Sequence, residues 1–116
     1  MIMFIFKICR QLEWKESQQT GVYLGSDDDR RDGFIHLSTS AQLHGTAAKH
    51  FAGRKDLLLI CYETGDLGDS LRWEPSRGGA LFPHVYGTLN TGDARWVQPL
   101  PLGPDGHIFP ALEEAK

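Results

Sequence analysis

The stretch Gly33-Phe34-Ile35-His36-Leu37-Ser38-Thr39 reads as a short alternating strand, and a helix-like run follows it as far as Phe51. Because side chains of a strand point alternately to its two faces, His36 and Ser38 share one face. They lie at a strand end, immediately before a helix N-terminus whose free N–H groups favour an anion. The pattern predicts a place for a phosphate or carboxylate, although a strand histidine is also an ordinary half-buried packing residue.

The run after this strand has the marks of a helix. Thr39 and Gln42 have the spacing of a capping box. Apolar residues then recur every fourth position, which predicts one helical stripe packed on a sheet; they are Leu43, Ala47 and Phe51. His44 and His50 lie off this stripe and are predicted to be surface histidines.

Five further segments have strand patterns. They are residues 2–9, 57–62, 70–74, 81–89 and 94–100. The first two are apolar on both faces, which is typical of central strands. Pro83 is awkward inside a central strand because it has no N–H, so it predicts an edge, a bulge or a strand start. Lys7 interrupts the first segment; it either snorkels from the strand end or faces a pocket.

The remaining segments are less regular. Residues 11–19 predict a short surface helix that closes near Gly21. The charged residues 25–32 predict a solvated loop, although Arg30 and Arg31 are within reach of an anion. Residues 76–79 predict a turn, the prolines and glycine between 99 and 104 predict the end of regular structure, and residues 111–116 predict a frayed tail.

Composition places the chain among folded globular domains. Its 116 residues predict a single domain spanning 1–116. A net charge of −3 disfavours a nucleic-acid coat, and the apolar start is too short to span a bilayer and lacks the leader of a signal peptide. Cys9 and Cys61 form neither a disulfide framework nor a CxxC motif. We therefore expect an α+β protein of the cytoplasm, with its oligomeric state open.

Three strands each present polar groups on one face: His36 with Ser38, Arg72 with Glu74, and His84 with Tyr86. If these faces converge, the set suits general acid–base chemistry or the recognition of a phosphorylated or ribosylated small molecule. Simpler interpretations remain open. Arg72 and Glu74 could form a surface pair, and Tyr86 could be a core residue whose hydroxyl lies at the rim. His36, Glu74 and His84 also match a two-histidine, one-carboxylate metal site, although their spacing follows no metal motif.

The sequence resembles the small bacterial family of unknown function DUF952 along nearly its whole length. The segments GFIHLS (33–38), LRWE (71–74) and FPHVYG (82–87) carry most of this resemblance; the rest is carried by residues 4–8, Trp14, 21–23, Asp32, Gln42, 51–53 and 56–57. Members are often labelled glutathione S-transferase-like, but this chain has neither the length nor a thioredoxin-like pattern. The family has been grouped with ADP-ribosyltransferase-like folds, which include the RNA 2′-phosphotransferases.

This resemblance implies a split, mostly antiparallel sheet with about two helices that grips NAD. In those folds the second strand carries a tyrosine followed by Ser and a helix, and a late strand carries a glutamate; His36 and Glu74 occupy the matching places here. Relatives tend to have histidine in the first strand, where this chain has Lys7. A lysine does not offer the same planar contact to a ribose.

The leading hypothesis is a pocket for NAD, ADP-ribose or a phospho-ribose relative, with glycosyl or phosphoryl-ribose transfer as its chemistry. The expected catalytic residues are His36, Glu74 and His84, and the expected cofactor-binding residues are Lys7, Ser38, Thr39, Arg72 and Tyr86. No metal is expected, and the expected partner is a small anionic or nucleotide ligand. The alternatives are a noncatalytic module for a small anion or a protein, and a metal-dependent hydrolase.

Overall fold

The structure is a computed structural model that describes residues 2–112. The helices and strands of this part of the chain are β1 (Phe4–Arg10), α1 (Gln11–Thr20), β2 (Val22–Tyr23), α2 (Asp27–Asp32), β3 (Ile35–His36), α3 (Leu43–His50), β4 (Leu57–Glu63), β5 (Leu71–Pro75), β6 (Leu81–Val85), β7 (Leu89–Asn90), β8 (Trp96–Pro99), β9 (Leu102–Gly103) and β10 (Gly106–His107). The radius of gyration, 13.3 Å, is that of one compact domain of this length.

Two three-stranded antiparallel sheets form the framework. β4 lies between β1 and β8 in the first sheet, and β6 lies between β3 and β5 in the second. The sheets meet where Phe6 of β1 and Ser38, just beyond β3, exchange backbone hydrogen bonds of 2.8 and 2.9 Å. The predicted α+β class with mostly antiparallel strands is confirmed, and residues 2–112 contain three α-helices rather than about two.

The first sheet separates two hydrophobic clusters, as its alternation requires. Ile5 and Cys9 of β1 face one cluster, and Phe6 and Ile8 face the other. The second cluster is covered by α3, whose predicted stripe is confirmed because Leu43 and Ala47 are buried there and Phe51 packs against them. The predicted capping box is also present, since Gln42 Oε1 accepts a hydrogen bond of 3.1 Å from the Thr39 N–H.

The predicted helix after β1 is confirmed as α1. Its C-terminus is closed by Gly21, whose φ of 84° is accessible without strain only to glycine and whose N–H donates to the Ser17 carbonyl at 2.8 Å. Trp14 fixes the helix to the core by packing against Tyr23, with ring centroids 6.0 Å apart.

The solvated loop predicted for residues 25–32 is wrong, because this segment contains α2. The Ser26 hydroxyl accepts the Asp29 N–H at 3.2 Å, and the Asp29 carboxylate accepts the Ser26 N–H at 2.9 Å. Gly33 ends the helix at φ 86°. Acidic residues in the first turn and arginines in the last turn complement the helix dipole, so the charge pattern marks helix ends rather than a loop.

Pro83 lies in a central strand, where the sequence predicted an edge, a bulge or a strand start. Its carbonyl accepts the Leu37 N–H at 3.0 Å, on the side of β6 that faces β3. Proline has no N–H to return to Leu37, so the β3 ladder ends at His36. The proline therefore shortens the neighbouring strand while its own strand continues.

Regular structure also continues beyond the predicted last strand. β9 and β10 form a short hairpin after Pro99, contrary to the prediction that regular structure ends there. Phe109 and Leu112 then pack against the cluster under α3. Of the predicted frayed tail, Ala111 and Leu112 have no regular structure, and residues 113–116 lie outside the described part.

None of the helices within residues 2–112 has the length and apolarity needed to cross a membrane.

Candidate functional site

A cleft of about 130 Å³ opens between α2, α3 and the junction of the two sheets. Its polar lining consists of Lys7, Ser26, Asp28, Asp29, Arg31, Asp32, His36, Ser38, Thr46, His50, Ser76, Arg77 and His84, and its apolar lining of Phe6, Ile8, Leu37, Phe51 and Phe82. Sites that enclose a whole ligand measure roughly 300–1,000 Å³. The cleft therefore encloses one end of a molecule rather than a dinucleotide.

The three polar strand faces of the sequence do converge. In the register of the second sheet His36, His84 and Arg72 are cross-strand neighbours, and Glu74 lies opposite Phe82. The Phe34 ring stacks on His84 with a centroid distance of 4.1 Å, and it lies 4.7 Å from the His36 ring. The opposite face of the sheet carries apolar residues such as Ile35 and Val85 into the core.

A buried ion pair forms the floor of the cleft. Lys7 Nζ donates to Asp29 Oδ2 at 2.7 Å and to the His36 carbonyl at 3.0 Å, and Lys7 and Asp29 are only 4% and 2% exposed. Burial alone would raise the pKa of Asp29, but hydrogen bonds from His36 and the charge of Lys7 hold it well below its ordinary value. The lysine thus faces inward, against the snorkelling interpretation.

His36 links the sheet to α2 through both nitrogens of its ring. Nδ1 is 2.6 Å from Asp29 Oδ1, and Nε2 is 3.0 Å from Asp32 Oδ2. The backbone N–H of His36 also donates to Asp29, at 3.0 Å. Because carboxylates occupy both ring nitrogens, the first role of His36 and Lys7 in this geometry is to fix α2 against the sheet.

His84 forms a chain with Glu74 and Tyr86. Its Nδ1 lies 2.8 Å from Glu74 Oε1, and the Tyr86 hydroxyl donates to the same oxygen at 2.8 Å. Hydrogen bonds from His84 and Tyr86 lower the pKa of Glu74. The ionised carboxylate has no proton to donate, so it accepts the hydrogen bond from Nδ1. His84 is 3% exposed, and its Nε2 is buried with no hydrogen-bond partner among the described residues.

Both Glu74 contacts are testable by titration. Replacing His84 by Phe, or Tyr86 by Phe, is expected to raise the pKa of Glu74 toward its ordinary value of 4.5, because each change removes a donor to the charged carboxylate. The His84 change should have the larger effect, since its hydrogen bond lowers this pKa most. Carboxyl NMR across the acid range measures both. A larger change from Tyr86→Phe would contradict the ranking.

The opposite wall of the cleft brings together Ser38, Thr46 and Arg77. The Ser38 and Thr46 hydroxyl oxygens are 3.0 Å apart, and Arg77 Nη2 donates to Thr46 at 3.4 Å. A Cβ on Gly45 would lie 3.1 Å from Arg77 Nη2, so the bare helix backbone admits the guanidinium. Glycine inside a helix lowers stability by roughly 0.5–1 kcal/mol relative to alanine; here it permits this close approach.

The predicted residues divide into two groups. Lys7, His36, Ser38 and His84 line the cleft, whereas four others do not: Thr39, Arg72, Glu74 and Tyr86. Glu74 and Tyr86 reach the cleft only through His84. Arg72 lies over the Tyr86 ring, 5.4 Å from its centroid, and Thr39 uses its backbone N–H in the cap of the following helical turn.

The predicted site residues leave out several that the fold brings to the cleft, among them Asp29, Thr46, His50 and Arg77. One of them had a signal, because Ser26 and Asp29 have capping-box spacing. His50, predicted to be a surface histidine, is exposed and also lines the cleft. Partial burial and the nearby charge of Arg77 lower its pKa.

The proposed metal ligands do not assemble around a common point. His36 faces Asp29 and Asp32, while Glu74 is hydrogen-bonded to His84 Nδ1. Among residues 2–112, no three His, Cys, Asp or Glu side chains are grouped as a metal site. The geometry therefore gives the metal-dependent hydrolase no support.

Comparison with known proteins gives the chain its family. The family described as "Protein of unknown function (DUF952)" matches residues 8–97. The chain belongs to DUF952. The DUF952 chain is also similar to protein CC0527 from Caulobacter crescentus: its X-ray structure is 43% identical with a TM-score of 0.86, over 90% of this chain and 91% of that one. The solution NMR structure of CC0527 is likewise 43% identical, with a TM-score of 0.81 and 90% of each chain covered. No curated protein matches the chain.

Proposed function

We propose that this DUF952 protein binds the ribose–phosphate part of a nucleotide of the NAD or ADP-ribose class in the cleft and transfers a ribosyl or phosphoribosyl group. The observation that carries the proposal is the buried Nε2 of His84, which has no partner among the described residues while Nδ1 is held by Glu74. A buried polar atom without a partner is costly. His84 lines the cleft, so a small movement of its ring or of the lining would let a substrate hydroxyl supply that partner.

The pair has the arrangement of an oriented general base. The ionised Glu74 accepts a hydrogen bond from the Nδ1–H of His84, and in this tautomer the neutral ring has its lone pair on Nε2. In that form His84 accepts the proton of an attacking hydroxyl, and Glu74 stabilises the imidazolium that results. Tyr86 holds the carboxylate in place at 2.8 Å.

NAD, when bound, supplies a ribose C1′–N bond whose cleavage releases nicotinamide. The size of the cleft fits one ribose or phosphate, with the rest of the nucleotide outside it. Support for this ligand class comes from the sequence resemblance, in which the strand segment that contains His36 and the late-strand Glu74 are similar to motif positions of ADP-ribosyltransferase-like folds. We propose the cytoplasm, where such nucleotides are abundant, as the location.

Calorimetry tests the binding step. NAD, ADP-ribose and ribose 5-phosphate are titrated into the wild type, His84→Phe and His44→Phe. We expect at least one ligand to bind in the millimolar range or tighter, and His84→Phe to weaken it at least tenfold. His44 is a matched control because its ring packs at a tilt against Phe109, outside the cleft, with ring centroids 4.2 Å apart. Absence of heat from all three ligands would refute the proposal.

Chromatography of released nicotinamide tests the chemical step. Glu74→Gln is expected to lower turnover at least tenfold while binding changes little, because Glu74 acts through His84 and does not line the cleft.

The second candidate, a noncatalytic binding module, is favoured by the ring nitrogens of His36 and the Lys7 amine, which are committed to neighbouring residues. That candidate predicts the same binding with no release.

A further inference from the structure

Arg77 differs from the other cations of the cleft in its partners. Its guanidinium lies over the Phe82 ring, 5.0 Å from the centroid, and donates one long hydrogen bond of 3.4 Å to Thr46. Ordinary N–H···O bonds measure 2.7–3.2 Å. Within residues 2–112 no carboxylate forms an ion pair with Arg77, so most of its donors are available to a ligand.

The other lysine and arginine side chains of the cleft are both paired with carboxylates. Lys7 is paired with Asp29 at 2.7 Å. Arg31 is paired with Asp28 at 3.0 Å and with Asp32 at 3.1 Å. Both of these cations are therefore committed to carboxylates of α2, whereas Arg77 on the opposite wall has no carboxylate partner among the described residues.

The surroundings of Arg77 add further polar groups. The Ser38 and Thr46 hydroxyls are 3.0 Å apart, and Thr46 accepts from Arg77. The Ser38 side chain is buried, whereas the imidazole of His50 lies on the same lining at the exposed end of α3. A guanidinium, two hydroxyls and an imidazole are together suited to a tetrahedral oxyanion, and arginine matches phosphate with paired donors.

We propose that Arg77, Thr46, Ser38 and His50 form a subsite for the terminal phosphate of a phosphomonoester. A terminal phosphate carries a substituent on one side only, so it enters a cleft of about 130 Å³, whereas the diphosphate of NAD has substituents on both sides. The subsite therefore favours a ribose phosphate with a free terminal phosphate over an intact dinucleotide. The assignment of a ribose to this ligand rests on the function proposed above, whereas the assignment of a terminal phosphate does not.

The test uses ³¹P NMR and calorimetry with inorganic phosphate, glycerol 3-phosphate, ribose 5-phosphate and NAD. Wild type is compared with Arg77→Gln, Thr46→Val and Arg54→Gln, an exposed arginine outside the cleft. We expect ribose 5-phosphate to bind at least tenfold more tightly than NAD. Arg77→Gln should weaken it at least tenfold and Thr46→Val several-fold, while Arg54→Gln leaves it unchanged. Arg77 lies in a surface turn, so its replacement is compatible with folding.

The two proposals fail in different ways. Binding of NAD that is at least as tight as that of ribose 5-phosphate, or that Arg77→Gln leaves unchanged, overturns the phosphomonoester subsite and leaves the nucleotide function standing. Binding of glycerol 3-phosphate as tight as that of ribose 5-phosphate, with loss in Arg77→Gln, supports the subsite and removes the ribose. Equal effects of Arg77→Gln and Arg54→Gln on all ligands show only general charge attraction and overturn the subsite.

Discussion

Replacing Lys7 by Met is expected to lower the free energy of unfolding by about 3–5 kcal/mol, which is typical when one partner of a buried ion pair is removed. The reason is that Asp29, only 2% exposed, would keep its negative charge without its lysine partner in a poorly hydrated site. Methionine fills most of the lysine stem, so the loss measures the charge rather than a cavity. Urea unfolding at pH 7, followed by circular dichroism, measures it.

Arg10 supplies a matched control on the same strand. It pairs with Asp56 at 3.8 Å, with both side chains about half exposed. Arg10→Met is expected to cost less than about 1 kcal/mol, as for other exposed pairs. The double variant Lys7→Met/Asp29→Asn removes both charges, so it should lose less than the sum of the single changes. A Lys7→Met protein as stable as the wild type would contradict a desolvated pair.

Acidification is expected to remove about 2–3 kcal/mol of stability through Asp29. The pKa of this carboxyl is lower in the folded protein than its ordinary value of 3.8, so the unfolded chain binds the proton first. The stabilisation is therefore fully present above the unfolded pKa, and it declines as the pH falls from about 5 toward 2. Unfolding free energies measured in urea at successive pH values follow this decline.

Two variants isolate the contribution of Asp29. Asp29→Asn removes the titrating group, so its stability should be lower at pH 7 and should decline less steeply than that of the wild type across the acid range. Asp56→Asn removes a half-exposed carboxylate, and its profile should keep the wild-type slope. An equally steep decline in Asp29→Asn and the wild type would assign acid sensitivity to other carboxylates, among which Asp32 and Glu74 also have lowered pKa values.

Much of the framework follows from local patterns. The continuous apolar run at 57–62 predicted β4, and the Thr39–Gln42 spacing predicted the turn that starts α3. The placement of His36, Glu74 and His84 on one face also follows from period two, because the alternation of each strand survives in the paired sheet. The ADP-ribosyltransferase-like fold inferred from the resemblance stays a prediction.

The errors occurred where distant residues decide the outcome. The charged run at 25–32 predicts a solvated loop because its composition is polar and turn-rich. Only one of its acidic residues, Asp29, is buried, because it forms an ion pair with Lys7, which is distant in the sequence. Pro83 predicts an edge, a bulge or a strand start, since the sequence does not reveal that the neighbouring β3 ladder ends opposite it.

The sequence by itself determined the secondary structure of the two sheets and the chemistry of their common polar face. Local periodicity, caps and turn residues act within a few positions, so they can be read along the chain. Only the tertiary structure decided which polar groups meet in the cleft. Arg77 contacts Thr46 across 31 positions, and Lys7 contacts Asp29 across 22. Such contacts depend on how α2, α3 and the sheets pack, and a linear pattern does not encode that packing.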